Sequence, residues 1–250
     1  MKRFENQAAL VVGGARGIGK AVAERLVKEG ASIYIVDVLK KELEQCSKEF
    51  REQGVTVNTL VVDICDEKSL HEAIENIIDI EGRLDILINT VGVVGPTDTN
   101  ILDYSLKDFQ KIMEINLAGA FLVTKAVLPQ MVVQDYGRIV HLTSIGGKEG
   151  NPGMVGYAAS KAGLMGLIKG VGKEFAHTGI TVNGIAPAVI ATPMNEDTSP
   201  ETLAYMTAKI PMGRLGTTDE VASLVCWIAS KEASFNTGFI FDLSGGRATY

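Results

Sequence analysis

An apolar run, AALVVGG, passes directly into a glycine-rich turn and then into a helical pattern over residues 18–29. Strand, tight turn and helix in that order constrain the fold strongly, because the free N–H groups and dipole at the helix start form a site for a pyrophosphate. The glycines stand at Gly13, Gly14, Gly17 and Gly19, in the spacing GxxxGxG. The flanking strand and helix are the context that separates such a site from an ordinary turn. A second apolar run, ASIYIVDV, brings Asp37 to its end about twenty residues later. A carboxylate there accepts both hydroxyls of an adenosine ribose and repels a 2′-phosphate, so the expected dinucleotide is NAD rather than NADP.

The same alternation continues. Helix (40–53), strand (56–63, closing on Asp63), helix (67–81) and strand (84–89) are followed by a long helical region over 105–133. Ser105 is the expected N-cap of that region, and Pro129 is expected to kink or end it. A fifth strand, YGRIVHLTS, a second small-residue helix, a sixth strand within TVNGIAPAVIATP, a helix over 219–230 and a final strand, GFIFDLSGG, complete the chain. Strands alternating with helices predict right-handed crossovers and a mostly parallel sheet covered on both faces. No linker divides the pattern, so one Rossmann-type α/β domain is expected over 1–250. The irregular stretch ending at 215 contains Pro193, Pro200 and Pro211, and the segment 188–215 has the length of a substrate lid.

Ser144, Tyr157 and Lys161 lie in the stretch SIGGKEGNPGMVGYAASK. Residues four apart share a helix face, and an ammonium beside a phenol favours the phenolate, so Tyr157 and Lys161 form a candidate acid/base pair. Spacing alone does not select them. Tyr205 and Lys209 are also four apart, with Thr192 preceding that tyrosine by the same interval as Ser144 precedes Tyr157. Context separates the two sets: Ser144 ends an apolar strand, and the carboxyl ends of parallel strands are where open α/β folds carry ligands. Asn116 sits amid apolar neighbours in MEINLAGAF, where a buried amide ordinarily satisfies backbone groups.

A net charge of −6 argues against nucleic-acid or anionic-membrane partners. Cys46, Cys65 and Cys226 have no CxxC spacing and read as reduced core thiols. The start MKRFENQAAL has no apolar leader pattern, and a cytoplasmic location is expected. His71, His141 and His177 lack partners at metal-ligand spacing, so no metal is expected.

Across residues 7–246 the chain resembles the short-chain dehydrogenase/reductase family. The resemblance rests on GGARGIG, Asp37, Asp63, NTVG at 89–92, Asn116, Ser144, Tyr157 with Lys161, and the loop from Pro187 to Thr192. It implies a seven-stranded doubly wound sheet, hydride transfer between a nicotinamide and a carbonyl/alcohol pair, and a homotetramer in which the helix from Tyr157 packs on its copy. It also implies roles. Tyr157 would be the acid/base and Ser144 would hold the substrate oxygen. Lys161 would hold the nicotinamide ribose and lower the tyrosine pKa, and Asn116 would fix a relay water. Gly13, Arg16, Gly17, Ile18, Gly19, Asp37, Asp63, Ile64, Asn89, Gly92, Pro187, Ile190 and Thr192 would join Tyr157 and Lys161 around the cofactor, with Gly146, Asn151 and Met194 joining Ser144 and Tyr157 around the substrate. Three positions depart from the family's usual residues. Val12 replaces a threonine, Thr90-Val91 replaces Asn-Ala, and Ala188 replaces a glycine in a loop that must then avoid positive φ.

Polar loop residues favour a small hydroxylated substrate, and the resemblance is nearest to sugar and sugar-acid dehydrogenases. Lys148 and Glu149 read as a solvated pair. Reduction of a 3-oxoacyl thioester with NADPH is the alternative. A dinucleotide-binding protein without turnover is a remote one, since such a protein would be expected to lose Tyr157 or Lys161.

Overall fold

The computed structural model describes residues 2–193 and 199–248. Its strands are β1 (Ala8–Val12), β2 (Ser32–Asp37), β3 (Asn58–Val61), β4 (Ile86–Asn89), β5 (Gly137–Leu142), β6 (Ile180–Pro187) and β7 (Ile240–Leu243). All pair in parallel, in the order β3-β2-β1-β4-β5-β6-β7. The chain builds outward from β1 to β3 and then returns to the other side of β1. The direction therefore reverses between β1 and β4, and the loops leaving those two strands part to form a crevice.

Helices cover both faces. Along β1, Ala9 and Val11 join one core with Val22 and Leu26 of α1 (Gly17–Lys28), Leu43 and Phe50 of α2 (Lys40–Glu52), and Val221 and Val225 of α9 (Thr218–Ile228). The alternating residues Leu10 and Val12 join a second core on the opposite face. There they meet Ile74 and Ile77 of α3 (Glu67–Glu81), Val123 and Val127 of α5 (Gly119–Gln134), and Leu164 and Ile168 of α7 (Val155–Glu174). Strands buried on both sides explain why the sequence shows continuous apolar runs rather than alternation.

Several elements depart from expectation. The long helical region is three pieces: α4 (Leu106–Met113), capped by Ser105 as expected, a π turn at Glu114–Ala118, and α5. Pro129 neither ends nor caps α5, which runs five residues past it to Gln134. A helix-interior proline costs about 3 kcal/mol. Fully burying two side chains such as Val127 and Met131 contributes about 1.5–3 kcal/mol each, so packing carries the helix through the proline. The loop after β5 contains a short helix, α6 (Ile145–Glu149), and the irregular stretch contains α8 (Pro200–Ala208). Ala188 is not among the positive-φ residues. The helix Leu106–Gln134 has the length and apolarity to cross a bilayer, but here its Val123, Val127 and Met131 lie in the core on the sheet. Cys46 and Cys226 are buried, with burial pushing their thiols up to about 11 and about 12, whereas Cys65 is only half-buried.

Candidate active site

The carboxyl ends of β1, β4, β5 and β6 bring the singled-out residues to one edge of the sheet. Gly13 leaves β1 at φ 76°, a left-handed conformation that a side chain would strain. Gly19 allows the start of α1 to close on this turn: a Cβ there would strike the Gly13 carbonyl and lie 2.7 Å from the Thr90 hydroxyl. Thr90 Oγ1 donates toward the carbonyls of Val12 (2.8 Å) and Gly13 (3.1 Å). The hydroxyl missing at Val12 is thus supplied from the neighbouring strand's end, which resolves two of the three departures together.

Asp37 closes β2 with one oxygen accepting from Leu39 N (3.2 Å) and the other from Ala15 N (3.3 Å). A cleft of about 410 Å³ runs beside the turn, lined by Arg16, Gly17, Lys20 and Lys41 among others, with Pro193 on its far side. Space beside Gly17 opens toward Thr192 and Pro193. Asp63 is exposed beyond β3, and Ile64 is buried against Gly119. Ile190 pairs with Gly216, and Pro187 ends β6 in the core. Ile18 is half-buried behind the turn. A turn that only glycines can form, a helix start, a strand-end carboxylate and an adjacent cleft fit an adenine dinucleotide.

Ser144 caps α6, its hydroxyl accepting from Gly146 N at 3.0 Å. The space above Gly146, where a Cβ would sit, is bounded by Ser144 Oγ (3.4 Å), Tyr157 Cε1 (3.5 Å) and Asn151 Nδ2 (2.8 Å). Lys161, one turn beyond Tyr157 on α7, is buried and donates to the Leu142 carbonyl at 2.8 Å. Gly92 leaves room for its ammonium: a Cβ there would lie 2.9 Å from Lys161 Nζ and 3.5 Å from Asn116 Oδ1. Asn116, on the π turn, pairs reciprocally with the Val93 backbone (2.8 and 2.9 Å) and donates to Ser160 Oγ at 3.0 Å. Three of the four hydrogen-bonding positions of its amide are thus engaged in fixing the wall beside Lys161. Met194 lies outside the described residues.

The electrostatics differ from expectation in one respect. Burial raises the Tyr157 phenol above its ordinary range, and the bonded Ser144 hydroxyl only partly opposes this. Lys161 Nζ stands 6.0 Å from the ring centroid. Its own pKa is pulled down to about 8 by burial. Tyr205 and Lys209 stack at 4.1 Å on the surface, where Tyr205 is 62% exposed, away from any strand end. Lys148 and Glu149 are not a solvated pair. Lys148 Nζ bonds Asp242 at 2.9 and 3.0 Å, and Arg247 holds Glu149 Oε2 at 2.7 and 3.0 Å.

Beneath the site His141 forms a buried chain of bonds. Thr124 donates its proton to Ala120 O (2.7 Å), so it must accept from His141 Nε2 (3.0 Å), leaving Nδ1 to accept from Asn89 Nδ2 (3.2 Å). Asn89 Oδ1 in turn accepts from Val91 N at 3.1 Å. Burial, with a smaller effect of the Lys161 charge, lowers the His141 pKa to about 3. A folded-state value below the unfolded one means that stability present above pH ~6.5 is lost as pH falls toward ~3. Thermal unfolding followed from pH 7 to 4 is expected to show His141→Asn less stable at neutral pH, with an acid limb shallower by about one proton. An unchanged limb would contradict this. The sequence offered no sign of the network beyond an isolated histidine on an apolar strand.

A family model described as enoyl-(acyl carrier protein) reductase matches residues 13–248. A 2-dehydro-3-deoxy-L-rhamnonate dehydrogenase (NAD(+)) of Sphingomonas sp. (strain SKA58) is 38% identical over 99% of this chain and 98% of that one. The chain belongs to the short-chain dehydrogenase/reductase family. Another member, a 3-oxoacyl-[acyl-carrier-protein] reductase of Thermotoga maritima, is 36% identical over 98% of both chains. The structure of NAD+-bound xylitol dehydrogenase superimposes with a TM-score of 0.92 at 31% identity, covering 98% of this chain and all of that one. The family's doubly wound sheet is the one seen here.

Proposed function

We propose that the chain is an NAD-dependent dehydrogenase acting on a secondary alcohol of a small hydroxylated substrate, a sugar acid, sugar or polyol. The observation that carries the reading is Asp37 at the end of β2, its carboxylate accepting from the backbone N–H of Ala15, which lines the cleft at the glycine-rich turn. An acidic group there suits a ribose diol and repels a phosphate. The similarity to an NAD(+) sugar-acid dehydrogenase supports it.

The turn at Gly13–Gly19 would hold the pyrophosphate, Asp37 the adenosine ribose, and Lys161 with Asn89 and Gly92 the nicotinamide side. The bound nicotinamide supplies the hydride acceptor and a positive charge. Tyr157 takes the hydroxyl proton of the substrate, and Ser144 donates to the same oxygen. Lys161, held by the Leu142 carbonyl, presents an ammonium to the relay, and Asn116 fixes the wall against which a water would rest. Burial raises the phenol, and the positive charge of an oxidised nicotinamide, when bound, would favour its phenolate. The segment 188–215, of which 194–198 lie outside the described residues, would serve as the substrate lid of this one catalytic domain.

A homotetramer, cytoplasmic and serving carbohydrate metabolism, is part of the same reading. The open flank of α7 at Gly166 and Gly170, where an added Cβ would meet nothing, supports packing on a second copy. Light scattering showing a monomer would overturn that assembly.

The test is a panel of initial rates: 2-dehydro-3-deoxy-L-rhamnonate and xylitol with NAD⁺ or NADP⁺, and acetoacetyl thioester with NADH or NADPH. Turnover of a hydroxylated substrate with NAD⁺ is expected. Turnover confined to the thioester with NADPH would overturn the reading and favour 3-oxoacyl reduction, the activity named for the Thermotoga relative.

A further inference from the structure

The carboxyl-terminal segment ties Met212 to the loop after β5. Gly245 O accepts from Met212 N at 3.1 Å, which fixes the end of the 188–215 segment, and Ser244 and Ala248 bond each other to fold the tail back. From this tail Arg247, its side chain 9% exposed, reaches the loop after β5. Its Nε and Nη2 both donate to Glu149 Oε2, and Nη2 also faces Asn151 Oδ1 at 3.5 Å.

An arginine has donors only, so the atom of the Asn151 amide that faces it must be the oxygen. The NH₂ is thereby turned the other way, into the space above Gly146 that Ser144 Oγ and Tyr157 also bound. We infer that Arg247 is a positioning residue for the reaction: it orients Asn151 so that its amide donates to a second oxygen of the substrate, next to the reacting carbon. The 3.5 Å contact is weak as a hydrogen bond. What makes it directional is that Glu149 fixes the guanidinium through two charge-assisted bonds while most of the side chain is out of water. The inference deepens the reading of the cleft as a site for an oxygen-rich substrate and rests on it. A substrate with a single oxygen would gain nothing from the third donor.

The wild-type panel tests the substrate class, and variants test the latch separately, on whichever panel compound the wild type turns over. Arg247→Met is expected to raise the KM for that compound about tenfold, the loss of roughly one hydrogen bond. The kcat should stay within about threefold and the KM for NAD⁺ should not change, since the tail is remote from the glycine-rich turn. Arg247→Lys should recover part of the loss, and Arg247→Met combined with Asn151→Ala should be no worse than Asn151→Ala alone. Amide hydrogen exchange provides a readout without turnover: Arg247→Met should speed exchange over 146–154, where Gly150 N and Met154 N make backbone bonds, and leave 13–19 unchanged. An unchanged KM, additive losses in the double variant, or unchanged exchange over 146–154 would overturn the proposal. So would parallel loss of NAD⁺ affinity and melting temperature.

Discussion

Replacing Tyr157 by phenylalanine is expected to lower kcat by about 10²–10⁴-fold or more, the usual worth of a positioned acid/base. Affinity for NADH, followed by fluorescence titration, should stay within a few fold. The separation is expected because the phenol's chemical partners are on the substrate side: the Ser144 hydroxyl bonds it, and the Asn151 amide borders the same space. Most of the groups placed to hold a dinucleotide, the Gly13–Gly19 turn, Asp37, Asn89 and Gly92, lie at the ends of β1, β2 and β4, with Lys161 on α7. Activity near the wild-type level in Tyr157→Phe would remove the proposed proton route. Loss of cofactor binding with activity would mean instead that the ring is structural.

Replacing Gly19 by alanine is expected to produce the opposite pattern. The added Cβ would collide with the Gly13 carbonyl and lie 2.8 Å from Gly14 Cα, both backbone groups that cannot rotate away. Overpacking of this kind costs about 1–3 kcal/mol. Concentrated in a turn that exists to receive the pyrophosphate, this becomes roughly a 5- to 150-fold loss of NAD⁺ affinity. The kcat at saturating cofactor should fall far less. Equal NAD⁺ affinity in Gly19→Ala and wild type would show that the turn does not need its present shape to bind.

Most of the fold was legible in the sequence because its signals were local and mutually consistent. The helix over 67–81 matches α3 residue for residue, since Asp66 caps it and Gly82 ends it in a left-handed conformation. The parallel sheet followed from alternation alone. Pro129 does not end the helix because the local rule is outweighed by the buried face of α5, which only the assembled sheet provides. The π turn has no local signature, since the bonds that hold Asn116 come from Val93 and Ser160, 23 and 44 residues away.

The candidate site was legible residue by residue, but not in its couplings. Val12 and Thr90 each read as a departure, and only the register of β1 against β4, pairing Val12 with Asn89, shows that one hydroxyl serves for both. Lys148 and Glu149 looked like exposed neighbours because their partners, Asp242 and Arg247, lie 94 and 98 residues further on. Lys161 was expected to lower the tyrosine pKa. In the folded chain burial outweighs the opposing influences at Tyr157, and its net shift is upward.

The π turn at Glu114–Ala118 gives the molecule an unusual relation between shape and chemistry. Each residue advances a helix by about 100°, and a π turn holds roughly one residue more than an α turn needs. Deleting one residue there would leave an ordinary continuous helix with its apolar content intact. What would be lost is rotational phase: the amide of Asn116 could no longer meet both Val93 and Ser160 while Val123 and Val127 stayed on the sheet. A one-codon deletion could therefore preserve a folded dinucleotide-binding protein while dismantling the wall beside Lys161. Inheritance of the fold and inheritance of the reaction are separable at this turn.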